Sequence, residues 1–423
     1  MGLTVIFMSK RILILTAGSR GDIQPYVALA KGLQQAGFDV TLATDLAFNT
    51  LVTSHGVRFA SIRAPFAQMM QTDEGKAALA GKKRIGLKQI QTMLRQMMDD
   101  AWEIAQQVQP DMVLYHPKPL AGYHIADKLG VPGILAIALP AYSPTDDFFS
   151  PVFGGGNYGR LLNRLSHLLF LKVSLLTYRR FLNRWRKEQL NLPPFSSDLV
   201  MREQPVPILY AYSPAVVPIP NDWRGNVNVT GYWFLDSAEA WEPPSELSAF
   251  LEKGEAPLYL GFGSMAAPDS PGITHVILEA VRQSNKRAIL ATGWGGISGL
   301  ESLNISGNIH LLKSAPHDWL FPRCSAVVHH GGAGTTGAGL RAGKPTIICP
   351  FFGDQPFWGK QIYKLGAGPN PIRQKRLSIN RLRQAILEAT SNARMRRSAE
   401  SIGKRIRAEN GVAQAVEIVE RYM

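Results

Sequence analysis

The 423-residue chain is longer than one ordinary hydrophobic core supports, so its length predicts two domains of about 200 residues each. A hydrophobic fraction of 45% with 18% charged residues excludes a disordered chain and a membrane-spanning one. The 46 Lys and Arg residues exceed the 32 Asp and Glu residues by 14 (46 − 32), but they follow no homeodomain, zinc-finger or RNA-recognition pattern, so we expect no nucleic-acid partner.

Short apolar runs alternate with helical patterns along the whole chain, which predicts an α/β fold of parallel sheets covered by helices. In the first half the pattern predicts strands over 11–17, 40–43, 111–115 and 133–138, with a loop over 18–24 and a helix over 25–35. In the second half it predicts strands over 257–260, 287–291, 309–312, 326–329 and 346–349, and a long last helix from about 392.

A polar, proline-bearing stretch over 236–247 is the predicted linker between the two halves. We therefore expect one domain over 1–235, a second over 248–395, and a C-terminal helix over 396–423 that packs back on the first domain. Two cysteines, Cys324 and Cys349, give no disulfide framework, and the N-terminus resembles no signal peptide. Both features indicate a reducing, cytoplasmic compartment.

The segment 160–190 carries much of the positive charge, with eight Lys or Arg residues and one acid, Glu188. Leucine and aromatic residues are interleaved with these basic residues, as in a basic amphipathic helix. The pattern predicts a peripheral contact with an anionic membrane. A helix that packs on the core and exposes a basic face explains it equally well. No apolar run approaches the roughly 20 residues that cross a bilayer.

The most specific motif is VVHHGGAGTT over 327–336, an apolar strand that runs into glycines, two hydroxyls and a helix. Glycines let a phosphate approach the backbone, and a helix start offers unpaired N–H groups to an anion. His329 is the last residue of the predicted strand, where its ring could donate a hydrogen bond to a phosphate oxygen. The alternative is a glycine-rich turn that serves only helix–strand packing.

Two further loops carry polar groups. Asp354 and Gln355 follow the next predicted strand, and a carboxylate beside an amide is suited to neighbouring sugar hydroxyls. Gly261–Ala266 matches the dinucleotide fingerprint G-x-G-x-x-A, but Pro268 and Pro271 interrupt the chain where that fingerprint needs a helix. We interpret this segment as a loop that lines a diphosphate, with Ser264 as a hydrogen-bond donor.

These motifs together resemble a known family. The stretch SAPHDWLFPRCSAVVHHGGAGTTGAGLRAGKPTIICPFFGDQPFWG, from Ser314 to Gly359, resembles the donor-site signature of nucleotide-sugar glycosyltransferases of GT-B fold, the UDP-glycosyltransferase superfamily. Within that group it is similar to sterol glucosyltransferases and glycopeptide-antibiotic glycosyltransferases. GSRGDIQP over 18–25 resembles the start of their acceptor domain. The resemblance implies two Rossmann-like domains that face each other across a cleft.

The resemblance also implies the roles of individual residues. His329 would contact the donor diphosphate, the backbone and hydroxyls that follow it would cradle that group, Asp354 and Gln355 would hold the sugar, and Ser314 with Ala315 would meet the nucleobase. The expected donor-binding residues are Gly18, Ser19, Arg20, Gly21, Ser264, Ser314, Ala315, His329, Gly331, Gly332, Ala333, Gly334, Thr335, Thr336, Asp354 and Gln355. The plant relatives carry tryptophan where this chain has Ser314, which leaves uracil and thymine both open.

Asp22 is the expected general base, because an acceptor hydroxyl must lose its proton as it attacks the anomeric carbon. We expect burial to raise the pKa of Asp22 above the usual value of about 3.9. The alternative is that Asp22 caps the helix expected near Pro25. His116 and His124 are weaker candidates for assisting residues. No D-x-D motif occurs, so we expect no metal and no cofactor beyond the nucleotide-sugar co-substrate.

The predicted reaction is an inverting transfer of a hexose, glucose from UDP-glucose, to a hydroxyl of a hydrophobic acceptor such as a sterol. Apolar segments over 65–70 and 148–181 favour such an acceptor. A polyketide, carotenoid or other terpenoid alcohol stays open as the acceptor. Two alternatives belong to other classes: a nucleotide-sugar epimerase, and a non-catalytic lipid-binding protein on the same scaffold.

Overall fold

The computed structural model describes residues 9–63, 86–197, 199–237, 239, 241–263, 270–292 and 307–423. In the first half of this described part, seven strands form one parallel sheet in the order β3-β2-β1-β4-β5-β8-β9. The strands are β1 Arg11–Leu15, β2 Asp39–Thr44, β3 Arg58–Ser61, β4 Met112–Tyr115, β5 Gly133–Ile137, β8 Ile208–Tyr210 and β9 Val227–Val229, with a small antiparallel hairpin of β6 Val200–Met201 and β7 Gln204–Pro205.

Helices cover both faces of this sheet. They are α1 Arg20–Gln35, α2 Asn49–Thr53, α3 Leu87–Val108, α4 Gly122–Leu129 and α5 Arg160–Trp185, and α5 continues as a π-helical turn over Arg186–Leu190. Alternate residues of β1 enter different cores: Leu13 and Leu15 face one layer of helices, and Ile12 and Ile14 face the other. Burial on both faces explains why the strand is a continuous apolar run in the sequence.

The second half repeats the architecture with a five-stranded parallel sheet in the order β12-β11-β10-β13-β14. Its strands are β10 Leu258–Gly261, β11 Ala288–Ala291, β12 Ile309–Leu312, β13 Ala326–His329 and β14 Thr346–Ile348. The described helices are α6 Ser245–Glu252, α7 Ser270–Gln283, α8 His317–Leu320, α9 Ala333–Arg341, α10 Gln355–Lys364, α11 Ile379–Ser391, α12 Ala393–Arg407 and α13 Gly411–Arg421. In both sheets the order of strands reverses beside the first strand, which makes the fold doubly wound as expected.

The chain end is two helices, so the prediction of one long last helix is wrong. Ala408–Asn410 separates α12 from α13, and Asn410 caps α13 with its side chain. The first helix contacts α9, whereas the second packs on α1 and contributes Val416 and Val419 to the core of the first half. The domain bounds from the sequence stay a prediction, and α6 begins at Ser245, inside the predicted linker.

The first helix begins at Arg20 rather than near Pro25, so most of the predicted loop 18–24 is helical. Ser19 and Asp22 form a capping box that stabilises the helix start. Pro25 lies within the helix, where it lacks the N–H that would bond the carbonyl of Gly21. The earlier start brings the first-turn residues of α1 to the carboxyl edge of the sheet.

Candidate functional site

The carboxyl ends of both sheets open on one cleft. The cavity has a volume of about 2320 Å³ and is lined by residues of both halves of the chain. Loops after β1 and β4 form one wall, and loops after β10, β12, β13 and β14 form the other. These loops lie at the switch points of the two doubly wound sheets, where such folds bind ligands.

Asp22 lies in this cleft with both carboxylate oxygens engaged. Oδ2 accepts hydrogen bonds from the Ser19 backbone N–H at 2.8 Å and from the Ser19 hydroxyl at 2.9 Å. Oδ1 lies 2.6 Å from Nζ of Lys118 and 3.9 Å from Nε2 of His116, both in the loop after β4. Asp22 therefore caps α1 with one oxygen and faces Lys118 and His116 with the other. The capping interpretation is confirmed, and the role as a base stays a prediction.

The pKa of Asp22 lies below its ordinary value, which contradicts the expectation of a raised pKa. Burial raises the pKa, but the charges of Lys118 and His116 and the hydrogen bonds from Lys118 and Ser19 together outweigh burial. Asp22 is consequently an ionised carboxylate at neutral pH. An ionised carboxylate is in the protonation state that a general base needs.

His116 is held neutral beside Asp22. Burial, then the charge of Lys118, lower the pKa of His116 to about 3, although Asp22 opposes them. The Lys118 backbone N–H donates to Nδ1 of His116, so the ring proton is on Nε2, the nitrogen that faces Asp22. His124 instead packs among Trp185 and Phe195 and accepts from Arg186 at Nδ1.

On the opposite wall, helix α9 directs its N-terminus into the cleft. Gly332 precedes the helix in extended conformation, and no side chain caps the first turn. Ala333, Gly334 and Thr335 line the cavity, so their backbone N–H groups and the helix dipole are available to an anion. This arrangement fits a phosphate or diphosphate group.

The two histidines before α9 differ in position: His330 lines the cavity, whereas His329, for which the ligand contact was predicted, does not. His329 is fully buried at the end of β13 and does not line the cavity, and its Nδ1 accepts from the Gly331 N–H at 3.0 Å. His330 lines the cavity. Adjacent residues of an extended strand point to opposite faces, so only one of the two could reach the cleft.

His330 lies between the loop after β10 and the start of α9. A Cβ on Gly332 would lie 2.7 Å from Nε2 of His330, and one on Gly263 would lie 3.5 Å from its Cε1, so both glycines make room for the ring. Burial lowers the pKa of His330 to about 4, and its Nδ1 is buried without a hydrogen-bond partner. Nε2 of the fully buried His329 also lacks a hydrogen-bond partner, so it is the position of His330 on the cavity surface that makes it the candidate for contact with an anion.

The loop after β14 brings Asp354 and Gln355 to the cleft edge. Gln355 Oε1 accepts from the N–H groups of Phe351 at 2.8 Å and Phe352 at 3.2 Å, so this oxygen shapes the loop. Asp354 Oδ2 accepts from Trp358 Nε1 at 2.7 Å. Burial raises the pKa of Asp354 against the opposing hydrogen bond from Trp358, and the charge of Asp22 raises it further. Both carboxylates line the same cavity.

Of the predicted donor-binding residues that the structure describes, all but three line the cavity, as does the predicted base Asp22. The lining donor-binding residues are Gly18, Ser19, Arg20, Gly21, Ser314, Ala315, Gly332, Ala333, Gly334, Thr335, Asp354 and Gln355. His329, Gly331 and Thr336 lie behind this surface, and Ser264 falls outside the described residues. A Cβ on Gly331, which has φ of 98°, would lie 2.7 Å from Cγ2 of Ile348, so its backbone requires glycine for packing.

Sequence reasoning missed three lining residues: Lys118, His317 and His330. Lys118 gave no signal because it lies almost a hundred residues from Asp22 in the chain. His317 stacks on Phe321 with ring centroids 4.3 Å apart. Burial, then the charge of Arg20 on the opposite wall, lower its pKa to about 4.

An apolar chamber continues from Asp22 and His116 into the first half. Its walls come from α3, β5, α5 and the segment before the hairpin, and the residues are Ile90, Met93, Leu94, Leu135, Ile137, Leu139, Tyr142, Phe170, Leu175, Tyr178, Leu182, Phe195 and Leu199. The predicted apolar segment 148–181 therefore contributes to the cavity, whereas 65–70 lies outside the described residues. Within the described part of the chain, no cluster of three His, Cys, Asp or Glu side chains is arranged to hold a metal ion.

Two family models match the two halves. The Glycosyltransferase family 28 N-terminal domain matches residues 12–144, and the Erythromycin biosynthesis protein CIII-like C-terminal domain matches residues 275–421. Solved structures share the fold across nearly the whole chain. The glycosyltransferase of kitacinnamycin has a TM-score of 0.71 at 17% identity and covers 98% of this chain and 99% of its own. VinC in complex with dTDP has a TM-score of 0.69 at 19% identity and covers 97% and 99%. Fold and cleft thus define a GT-B protein.

Curated relatives narrow the class. The sterol 3-beta-glucosyltransferase of Aspergillus fumigatus is 38% identical and covers 98% of this chain, and that of Cryptococcus neoformans is 38% identical and covers 97%. The chain spans only about 30% and 27% of the length of these two relatives. The chain thus combines a Glycosyltransferase family 28 N-terminal domain with an Erythromycin biosynthesis protein CIII-like C-terminal domain in a GT-B fold, and it is similar to one part of the sterol 3-beta-glucosyltransferases.

Proposed function

We propose that the chain is an inverting glucosyltransferase that moves glucose from UDP-glucose to a hydroxyl of a sterol or similar lipid alcohol. One observation carries the proposal: an ionised carboxylate, an anion-binding helix start and an apolar chamber meet in a single cleft. The 38% identity to sterol 3-beta-glucosyltransferases supports the acceptor class. A nucleotide-sugar epimerase would act on the donor alone and would not need the chamber.

In the proposed reaction Asp22 accepts the proton of the acceptor hydroxyl as its oxygen attacks the anomeric carbon. Oδ1 faces the cleft and is the oxygen suited to this task, because Oδ2 is committed to the start of α1. Nε2 of His116 lies 3.9 Å from that oxygen, beyond hydrogen-bond distance, so Lys118 and Ser19 are the residues that hold the carboxylate in place. Attack from the face opposite the diphosphate inverts an α-linked donor to a β-glycoside.

The departing diphosphate would be stabilised by the first turn of α9 and by His330. We reassign the contact predicted for His329 to His330, because His330 lines the cavity and His329 does not. His329 then acts indirectly by fixing Gly331. Preorganised N–H donors at a developing negative charge are typically the largest catalytic contribution of such sites. Asp354 is the residue proposed for the sugar hydroxyls, with Gln355 bracing its loop.

The nucleobase, the compartment and the membrane contact are parts of the same proposal. Ser314 and Ala315 lie where the base would meet backbone groups, and they are compatible with uracil. Both cysteines are free and buried, which fits a cytoplasmic enzyme. Among the described helices, none combines the length and apolar character needed to cross a bilayer. We propose a peripheral contact with anionic membrane through residues 160–190.

Calorimetric titration with UDP, UDP-glucose and dTDP-glucose tests the donor site, with His330→Ala and His329→Ala as a matched pair. We expect metal-free UDP binding that weakens roughly 10- to 100-fold in His330→Ala, which is the loss of a hydrogen bond to a charged group. His329→Ala should lower the unfolding temperature and leave the affinity for UDP near the wild-type value, because the His329 side chain is fully buried and away from the cavity. If none of the nucleotides binds, the transferase proposal fails.

A further inference from the structure

The two faces of helix α5 differ: one lines the apolar chamber and the other is exposed to solvent. Phe170, Leu175 and Tyr178 line the apolar chamber. On the other face a run of large apolar side chains is exposed to solvent. These are Leu161 (72% exposed), Leu162, Leu165, Leu168, Leu169, Val173 and Leu176 (60% exposed). At a rise of 1.5 Å per residue, the stripe from Leu161 to Leu176 is about 22 Å long.

A contiguous apolar stripe of this length marks an interaction surface rather than scattered exposed residues. Its charge identifies the partner. The helix carries six Lys or Arg residues and no acid. Arg160 and Arg164 pair with Asp146 at the edge of the helix. Helical periodicity places Lys172, Arg179 and Arg180 on the same face as the leucines, and all three are exposed.

We propose that α5 docks along the surface of an anionic lipid bilayer and that the acceptor passes from that bilayer along α5 into the chamber. Leucines that enter the headgroup region and cations that contact lipid phosphates are the two components of interfacial helix binding. Because one face of α5 lines the chamber and the other is exposed, docking of the exposed face would bring the chamber wall to the bilayer. This inference deepens the membrane contact of the proposed function by naming the docking side chains and the acceptor's route, and it takes the identity of the acceptor from that function.

Uptake of the acceptor from the bilayer also avoids the free-energy cost of exposing it to water. A sterol-like alcohol in water exposes its whole apolar surface, and burial is worth roughly 25 cal/mol per Å² of that surface. An enzyme that waited for dissolved acceptor would depend on this rare species. Docking the wall of the chamber on the bilayer lets the acceptor exchange one apolar environment for another.

Co-sedimentation with vesicles tests the docking, using phosphatidylcholine vesicles with and without phosphatidylglycerol. The full chain should bind the anionic vesicles and release them as salt is added. The triple variant Leu165→Glu, Leu169→Glu, Leu176→Glu should bind at least about tenfold more weakly. Leu46→Glu is the matched control, because Leu46 is 65% exposed elsewhere on the surface and should bind as wild type does. Equal binding by all three proteins overturns the proposal.

A second measurement separates docking from catalysis. Transfer to a sterol embedded in anionic vesicles should fall in the triple variant about as far as vesicle binding does, while UDP affinity and transfer to a detergent-dispersed sterol stay at the wild-type level. Vesicle binding without transfer in any presentation would refute the proposed function and leave docking intact. If the triple variant instead turns a dimer into a monomer without vesicles, a second copy covers this face and the docking proposal fails.

Discussion

Lys118→Met tests whether Asp22 works as the base in the electrostatic setting of this cleft. Nζ of Lys118 lies 2.6 Å from Oδ1 of Asp22, and the Lys118 side chain is 44% exposed. Two unit charges about 4 Å apart interact by about 1 kcal/mol in water and by about 4 kcal/mol at an effective dielectric constant of 20. The exposure of Lys118 favours the low end, so its removal should destabilise the ionised form of Asp22 by about 1 kcal/mol and thereby raise the pKa of Asp22.

The direction in which the pH–rate profile moves follows from the role of Asp22 as a base. Asp22 must be ionised to act, so the rate is lost as pH falls through its pKa, and a raised pKa moves this acid limb to higher pH. The assay is kcat/KM for glucose transfer across the acid range, with Lys118→Arg to retain the charge. Lys128→Met removes an equal charge from the exposed end of α4 as a control. An unshifted acid limb in Lys118→Met, with UDP binding intact, would refute the assignment of Asp22.

Two further substitutions separate the effect on catalysis from the effect on packing. Asp22→Asn should lower kcat by about 10² to 10⁴. Its UDP affinity and unfolding temperature should stay near wild type, since the amide oxygen still accepts a hydrogen bond from the Ser19 N–H. A near-normal kcat would exclude Asp22 as the base. Gly337→Ala should destabilise the protein by about 1–3 kcal/mol in thermal unfolding, because its Cβ would lie 2.8 Å from the Tyr232 ring. Gly334→Ala is its control, since that Cβ meets open space, and equal unfolding temperatures would contradict the packing argument.

The strands of the second half could be predicted to within a residue or so, because a strand buried on both faces is a continuous apolar run. Strands β3 and β9 lie at the two edges of the first sheet and are only partly buried, so neither gives a continuous apolar run. Strand β8 was not predicted either. The prediction places the start of α1 too late because proline is common at the first position of a helix. The spacing of Ser19 and Asp22 matches a capping box and marks the observed start at Arg20.

The sequence predicted which loops form the site, but not which side chains of those loops contact one another. Alternation along β13 implies that one histidine of the pair is buried, but which one depends on where the strand ends, and that is the least certain part of any sequence prediction. The lowered pKa of Asp22 could not be foreseen, because Lys118 comes from a different strand–loop unit. Burial alone gave the wrong sign, since a charged neighbour at contact distance outweighs it.

In the proposed function, the first turn of α9 would bind the diphosphate through neutral N–H donors. The pKa values of His317 and His330 beside it lie near 4, so both rings are uncharged at neutral pH. Positive charge lines both walls: Arg20 and Lys118 on the first-half side, and Lys313, Arg341 and Lys344 on the second-half side. A diphosphate between the walls would therefore bind α9 directly and attract the first domain by charge. The ligand itself would then favour closure over the reacting atoms, which keeps water from the anomeric carbon.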